Sequence, residues 1–188
     1  KSLLGKQQCK RALLSLGQLE LNLERPVIGM VSRLAYQKGF DLLMGSLHNL
    51  LSSRDFTLCI LGSGEPRYVD FFNALMGQFP ERVHFHDGYN ESLAHLIEAG
   101  SDMFLMPSLY EPCGLNQMYS LKYGTVPIVR KTGGLADSVK MWDGTHGTGI
   151  VFNDYDIPAV QWAVNTALDL YKHQETWQQL IHNGMLQD

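Results

Sequence analysis

The sequence lacks the features that mark several classes of protein. It has no apolar run of about 18 residues, so no membrane-spanning helix is predicted. Its 15 Lys and Arg residues form no dense basic run and are outnumbered by 19 Asp and Glu, which leaves a formal net charge of −4. We therefore expect neither a membrane nor a nucleic acid as its partner. No internal repeat or low-complexity segment is present, which excludes a repeat protein.

Cysteine is scarce as well. Cys9, Cys59 and Cys113 are the three cysteines, and none of them has the Cys-x-x-Cys spacing. An odd number without a framework is typical of a reducing compartment, so disulfide bonds are not expected. The start of the chain is too polar for a signal peptide. Because the sequence begins without Met and stops abruptly at Asp188, we expect it to be a piece of a longer chain.

What the sequence has instead is a regular alternation of apolar strand-like runs and segments of helical period. Strands are predicted at residues 27–32, 56–61, 83–87, 103–106, 126–129 and 149–152. Helices are predicted at residues 3–16, 40–51, 68–79, 91–99, 117–123, 157–171 and 176–182. Continuous apolar strands separated by helices are typical of a parallel sheet that is covered on both faces. The sequence therefore predicts one α/β domain, doubly wound and Rossmann-like.

The most informative segment is residues 108–117, Ser-Leu-Tyr-Glu-Pro-Cys-Gly-Leu-Asn-Gln. Its lone carboxylate, Glu111, follows an apolar strand and precedes a helix. Ligands bind at this edge of open α/β sheets, and the free N–H groups of a helix start favour an anion or a sugar hydroxyl. Thr132, Gly133 and Gly134 form a second turn after the next strand. Two adjacent turns of this kind predict a pocket for a charged, hydroxyl-rich ligand.

The loop after the first strand carries two cations, Arg33 and Lys38. Their separation allows both side chains to reach one diphosphate, with Arg as a planar fork and Lys as a point charge. The alternative is a solvated loop with two ordinary cations. The position at the carboxyl end of a strand, matched to that of Glu111, favours a functional site.

Three other features at strand ends are weaker. Gly62 and Gly64 follow the second strand, but Arg67 occupies the place of a third Gly, so we predict a tight turn rather than a dinucleotide fingerprint. Tyr89 follows the third strand and can either stack on a base or pack against the next helix. His84 and His86 share one face of that strand, but no carboxylate or thiol with ligand spacing accompanies them, so no metal site is predicted.

Together these motifs resemble a known family. The segments Ser-Arg-Leu at 32–34, Gln-Lys-Gly at 37–39, Glu-Pro-Cys-Gly-Leu at 111–115 and Thr-Gly-Gly-Leu-Ala-Asp at 132–137 resemble bacterial glycogen synthases and plant starch synthases. These are retaining glucosyltransferases of glycosyltransferase family 5 with the GT-B fold. The resemblance implies that residues 1–188 are the carboxyl-terminal, donor-binding domain, with a leading helix in residues 1–20. The amino-terminal acceptor domain is expected to be absent.

The resemblance also implies roles for individual residues. Arg33 and Lys38 are expected to hold the diphosphate and stabilise the charge that grows on it, Tyr89 to stack on adenine, and Glu111 to face the glucose. In the first turn, backbone groups are expected to bind sugar hydroxyls or the distal phosphate, and the residues concerned are Cys113, Gly114, Leu115 and Asn116. In the second turn, the expected donor-binding residues are Thr132, Gly133 and Gly134.

The implied activity is transfer of glucose from ADP-glucose to the non-reducing end of an α-1,4-glucan. No metal is expected, because Arg33 and Lys38 take its place at the diphosphate, and this piece alone is expected to have little or no transferase activity. Tyr119 stands eight residues after Glu111, where related GT-B enzymes carry a second Glu, and this favours the starch-synthase branch. The alternatives are another retaining GT-B transferase and a non-catalytic nucleotide-binding module. The expected location is the bacterial cytoplasm, or a plastid for a plant protein.

Overall fold

The structure is a computed structural model that describes residues 3–111 and 115–187. Within these residues it has six strands and nine helices. The strands are β1 (Val27–Val31), β2 (Thr57–Gly62), β3 (Val83–Asp87), β4 (Met103–Met106), β5 (Val126–Arg130) and β6 (Ile150–Phe152). The helices are α1 (Leu3–Leu16), α2 (Phe40–Met44), α3 (Leu47–Ser53), α4 (Pro66–Gln78), α5 (Glu91–Gly100), α6 (Asn116–Tyr123), α7 (Gly133–Ser138), α8 (Ile157–Tyr171) and α9 (Gln174–Met185).

The six strands form one parallel sheet in the order β3-β2-β1-β4-β5-β6. Each residue of β2 and β4 is buried, as the continuous apolar runs predicted. The edge strand β3 alternates instead, with Val83 and Phe85 buried and His84 and His86 half-buried. The prediction of a doubly wound, Rossmann-like α/β fold is confirmed.

Side chains that alternate along the strands supply a core on each face of the sheet. On one face Ile28 and Met30 pack with α2, α3, α4, α8 and α9, and on the other Val27 packs with α1, α5 and α7. The two cores enclose the sheet, so its faces are closed and its carboxyl edge is the surface on which a ligand can meet several strands. Within the described residues, no helix is both long enough and apolar enough to cross a membrane.

One predicted helix is divided in two. The sequence pattern predicted a continuous helix over residues 40–51, but α2 ends at Met44 and α3 begins at Leu47. A Cβ on Gly45 would overlap the side chain of Ile157 at the start of α8, so this glycine allows the close approach of α8. The Ser46 hydroxyl donates to the carbonyl of Leu42 at 2.7 Å. The break between the two helices therefore coincides with the close approach of a distant helix.

Candidate functional site

A cleft of about 560 Å³ opens at the carboxyl edge of the sheet, between β1 and β4. The strand order reverses there, since β2 and β3 lie to one side of β1 and β5 and β6 lie beyond β4. Such a switch point is where open α/β sheets bind ligands, and the volume is in the range of small-molecule sites. The cleft is lined by Met30, Val31, Ser32, Arg33, Lys38, Phe40, Leu61, Gly62, Ser63, Gly88, Tyr89, Leu105, Met106, Pro107, Ser108, Glu111, Leu115 and Asn116.

The loops after β1 and β4 are fastened to each other. Gly39 has φ 87°, and a Cβ there would overlap the carbonyl oxygen of Pro107. The carbonyl of Gln37 accepts from the backbone N–H groups of Leu109 and Tyr110 at 2.9 and 3.3 Å. These contacts bring the end of a short 3₁₀ turn, Tyr36–Lys38, against the segment that carries the candidate carboxylate.

Lys38 and Glu111 form an ion pair at the centre of the cleft. The Lys38 Nζ lies 2.8 Å from Glu111 Oε2, and the side chains are 20% and 10% exposed. Ser108 Oγ donates to the same carboxylate oxygen at 3.1 Å. The two residues that the sequence predicted from separate motifs therefore meet, and they present a cation and a carboxylate to one ligand space.

Arg33 is exposed at the edge of this cleft, and no carboxylate of the described residues pairs with its guanidinium. Its loop is tied to the end of β2, because Leu34 N–H donates to Ser63 carbonyl at 2.8 Å. A Cβ on Gly62 would overlap the carbonyl oxygen of Ser32, and one on Gly64 would overlap that of Leu34. The Gly-x-Gly segment does not form the predicted tight turn, because Gly62 ends β2 and Gly64 pairs with Leu34 in an isolated parallel bridge. Both glycines allow the two loops to touch.

Tyr89 lies at the far end of the cleft, after β3, with its side chain 78% exposed. The preceding Gly88 donates its N–H to the carbonyl of Gly62 at 3.0 Å, which attaches this loop to the end of β2. This exposure argues against the alternative that Tyr89 packs against the next helix. The ring is available for stacking on a ligand.

At the start of α6, Leu115 and Asn116 line the cleft. The Asn116 side chain donates through Nδ2 to the carbonyl of Val31 at 3.0 Å, so it joins the helix start to the end of β1. Its side-chain donor is used within the fold, which leaves its backbone for a ligand. The expected ligand contacts of Cys113 and Gly114 lie outside the described residues.

The Thr-Gly-Gly segment that the sequence predicted as a second turn is the start of α7, with Thr132 at its N-cap, and it does not line the cleft. Thr132, Gly133 and Gly134 are not among the described residues that line it. Gly134 instead donates its N–H to the backbone carbonyl of Glu111 at 3.1 Å. The start of α7 therefore helps to position Glu111, and direct contact of these three residues with a ligand stays a prediction.

Sequence reasoning missed two polar residues of this region. Ser108 contacts the Glu111 carboxylate directly, and its place three residues earlier in the same loop was the only signal. Arg130 ends β5 and donates through Nη1 to the carbonyl of Leu109 at 2.9 Å. A cation at the carboxyl end of a strand was a signal of the kind that identified Arg33, and it could have been used.

The histidines of β3 do not form part of a metal cluster. Burial lowers the pKa of His84, and the neighbouring His86 adds to that shift. Among the described residues, no group of three or more His, Cys, Asp or Glu side chains is placed to hold a metal ion. The expectation that no metal is needed at the diphosphate stays a prediction.

Comparison with known proteins gives a consistent result. The model of a family described as glycosyl transferases group 1 matches residues 15–184. A glycogen synthase of Anaeromyxobacter dehalogenans is 48% identical over 187 residues, which are 99% of this chain and 39% of that protein. A glycogen synthase of Koribacter versatilis is 49% identical over 190 residues, which are 100% of this chain and 39% of that protein. The chain thus spans about 39% of the length of these relatives.

Solved structures agree. The catalytic domain of starch synthase IV from Arabidopsis thaliana, bound to ADP and acarbose, matches all of this chain and 40% of its own with a TM-score of 0.90 and 34% identity. Anabaena HepE in complex with UDP-glucose matches 98% of this chain and 48% of its own with a TM-score of 0.70 and 18% identity, and so shows the fold alone. The resemblance to glycogen and starch synthases is confirmed. The chain belongs to the glycosyl transferases group 1 family.

Proposed function

We propose that this chain is the donor-binding part of a retaining glucosyltransferase that transfers glucose from ADP-glucose to the non-reducing end of an α-1,4-glucan. The observation that carries the proposal is the meeting of Lys38 and Glu111, 2.8 Å apart, at the switch point of the sheet. Support for the donor and the acceptor comes from the glycogen synthases among its relatives and from the starch synthase structure, whose ligands are ADP and acarbose.

The chemistry divides between the two charges. As the glycosidic bond breaks, negative charge grows on the diphosphate and positive charge grows on the glucose ring. Arg33 and Lys38 stabilise the first, and the Glu111 carboxylate stabilises the second. Because both charges are larger in the transition state than in the bound donor, these contacts accelerate the step and do more than hold the substrate.

The same edge provides for the rest of the donor. Tyr89, exposed at the far end of the cleft, stacks on the adenine. The start of α6 turns backbone N–H groups towards the sugar and the distal phosphate, where the first residues of a helix have no intrahelical acceptor. Leu115 and Asn116 are the described residues at this place. Cys113 and Gly114 complete the proposed set.

Two further parts of the proposal concern the metal and the acceptor site. Arg33 and Lys38 supply the positive charge at the diphosphate, so donor binding requires no metal. The acceptor glucan binds to a separate amino-terminal domain, and this chain alone does not position an acceptor or exclude water from the reacting bond. We therefore expect no glucan elongation by this chain alone. A cytoplasmic location stays a prediction.

Calorimetric titration of this chain with ADP, with UDP in parallel and EDTA in the buffer, tests the proposal. We expect ADP to bind more tightly than UDP and the Arg33→Ala/Lys38→Ala variant to lose the binding. Arg11→Ala/Lys172→Ala removes the same charge from exposed positions that do not line the cleft, and it should bind ADP as the original chain does. UDP preferred over ADP would indicate another donor class. Absence of binding to the folded chain would refute the assignment of the cleft.

A further inference from the structure

Arg130 ends β5 beside the cleft but does not line it. Its Nη1 donates to two consecutive backbone carbonyls, that of Leu109 at 2.9 Å and that of Ser108 at 3.4 Å. Among the described residues, no other side chain donates to these carbonyls. These peptide groups belong to the segment between β4 and Glu111, which has no helix or strand to fix its conformation.

The segment is held from opposite sides. Its N–H groups at Leu109 and Tyr110 donate to the carbonyl of Gln37, on the side of β1. Its carbonyls accept from Arg130, on the side of β5. Since N–H and carbonyl groups of a peptide point in opposite directions, the two attachments together fix the rotation of the peptide planes that precede Glu111.

The guanidinium is itself held in place. It lies over the ring of Tyr155, with Cζ 5.4 Å from the ring centroid, a distance at which a cation and an aromatic face attract. Arg130 Nε and Tyr155 Oη are buried and have no hydrogen-bond partner among the described residues. Burial of a charged guanidinium with an unsatisfied N–H costs free energy. Since its hydrogen bonds are directed at one segment of backbone, we infer that the guanidinium is there to fix the conformation of that segment.

We propose that Arg130 is a positioning residue, which orients the Glu111 carboxylate through the backbone of residues 108 and 109. The inference rests on the proposed function and assigns a task within it. The carboxylate must meet Ser108 Oγ and Lys38 Nζ on one oxygen, at 3.1 and 2.8 Å, and the carbonyls of the same segment are the groups that Arg130 holds. Without Arg130, the segment keeps its attachments to Gln37 and, at Glu111, to Gly134, and it loses the restraint on the carbonyls of Ser108 and Leu109. The glucose subsite is then disturbed, while the diphosphate and base subsites, on the loops after β1 and β3, are left intact.

Binding of ADP and of ADP-glucose to the full chain, each measured by calorimetry, tests the proposal in Arg130→Met and Arg130→Lys. For Arg130→Met we expect ADP affinity to stay the same or to rise, since a displaced Glu111 competes less for Lys38, and the ratio of ADP-glucose to ADP affinity to fall by about five-fold or more. Arg130→Lys keeps the charge and one donor nitrogen but loses the planar guanidinium, so it should recover part of this ratio. In a Glu111→Gln background, Arg130→Met should lower the ratio by less than about two-fold, because its target is already removed.

The outcomes separate the two proposals. If the unaltered chain binds neither ligand, the proposed function fails and this inference fails with it. If it binds both, and Arg130→Met weakens both equally or neither, the positioning role is refuted while the donor site stands. If Arg130→Met acts as strongly in the Glu111→Gln background as alone, Arg130 does not act through Glu111. A thermal unfolding midpoint within a few degrees of the original chain shows that each variant is folded, and a midpoint that falls with both affinities assigns Arg130 to stability instead.

Discussion

Replacement of Glu111 by Gln is expected to strengthen the binding of ADP, although it removes the carboxylate that the proposed transfer uses. In the structure the Lys38 ammonium is already paired with Glu111 at 2.8 Å. A diphosphate that recruits Lys38 must compete with that carboxylate and also bring its own negative charge close to it. Gln keeps the shape of Glu and can accept a neutral hydrogen bond, so the variant changes the charge with little change of volume.

The size of the expected gain in ADP affinity follows from the strength of the Lys38–Glu111 ion pair. At an effective dielectric constant of about 20, two unit charges at this separation attract by roughly 6 kcal/mol, but dehydration of both groups cancels most of that. A charge-assisted hydrogen bond is worth about 1.5–3 kcal/mol net. Because the Lys38 side chain is 20% exposed and partly hydrated, we expect a gain of about 1–2 kcal/mol, which is about a five- to thirty-fold lower Kd for ADP.

Calorimetry with ADP at low and high salt measures this gain. Ser108→Ala is the matched control, because it removes a neutral hydrogen bond at 3.1 Å from the same carboxylate oxygen and leaves the charge. It should change the Kd by less than about three-fold. The advantage of Glu111→Gln should shrink as ionic strength rises, since screening weakens the charge interactions. An unchanged or higher Kd for folded Glu111→Gln would refute the view that the ion pair and the diphosphate compete for Lys38.

Three further predictions concern the frame around the cleft. Gly39→Ala should lower the free energy of unfolding, measured by urea titration, by about 1–3 kcal/mol and weaken ADP binding, because φ is 87° and a Cβ would overlap the carbonyl of Pro107. The control Gly77→Ala, in open space on α4, should be neutral or slightly stabilising in the same titrations. Lys10→Met should lower the free energy of unfolding by about 3–5 kcal/mol, since it leaves the buried Asp102 without the ammonium that lies 2.8 Å from its carboxylate. Adding Asp102→Asn should recover part of this loss. Burial lowers the pKa of Lys6 from 10.5 to about 8, so between pH 8 and 10.5 the folded state binds fewer protons than the unfolded state. As pH rises through this range, the free energy of unfolding of the original chain should therefore increase relative to that of Lys6→Met. A difference that stays constant with pH would contradict this prediction.

The fold and the two charged motifs could be predicted because they depend on local pattern. Buried parallel strands need apolar residues on both faces, and that leaves continuous runs in the sequence. Once the strands are known, the residues after them must meet at the carboxyl edge. Arg33, Lys38 and Glu111 could therefore be assigned to the same edge, and the adjacency of β1 and β4 is what brings them into one cleft.

The contacts that decide how those residues act depend on distant parts of the chain. The residue that approaches Gly45, at the break between α2 and α3, is Ile157, 112 positions later in the sequence. The direction of the Asn116 side chain is set by the carbonyl of Val31. Part of the hold on the Glu111 segment comes from Arg130. None of these pairs is marked by spacing or by local periodicity, because each is created only when distant elements become neighbours.

The ion pair of Lys38 and Glu111 has a consequence for how such a site can use binding energy. A cation and a carboxylate that are largely buried in a cleft would each be costly to desolvate alone, and their pairing makes both compatible with the folded state. On the proposed function, the donor brings a diphosphate for Lys38 and a ring that becomes positive for Glu111. In the bound ground state Lys38 exchanges one anion for another, while Glu111 loses its counter-charge and gains only a neutral sugar. Full compensation for Glu111 comes only when the ring acquires positive charge, so the broken pair favours the transition state over the bound donor.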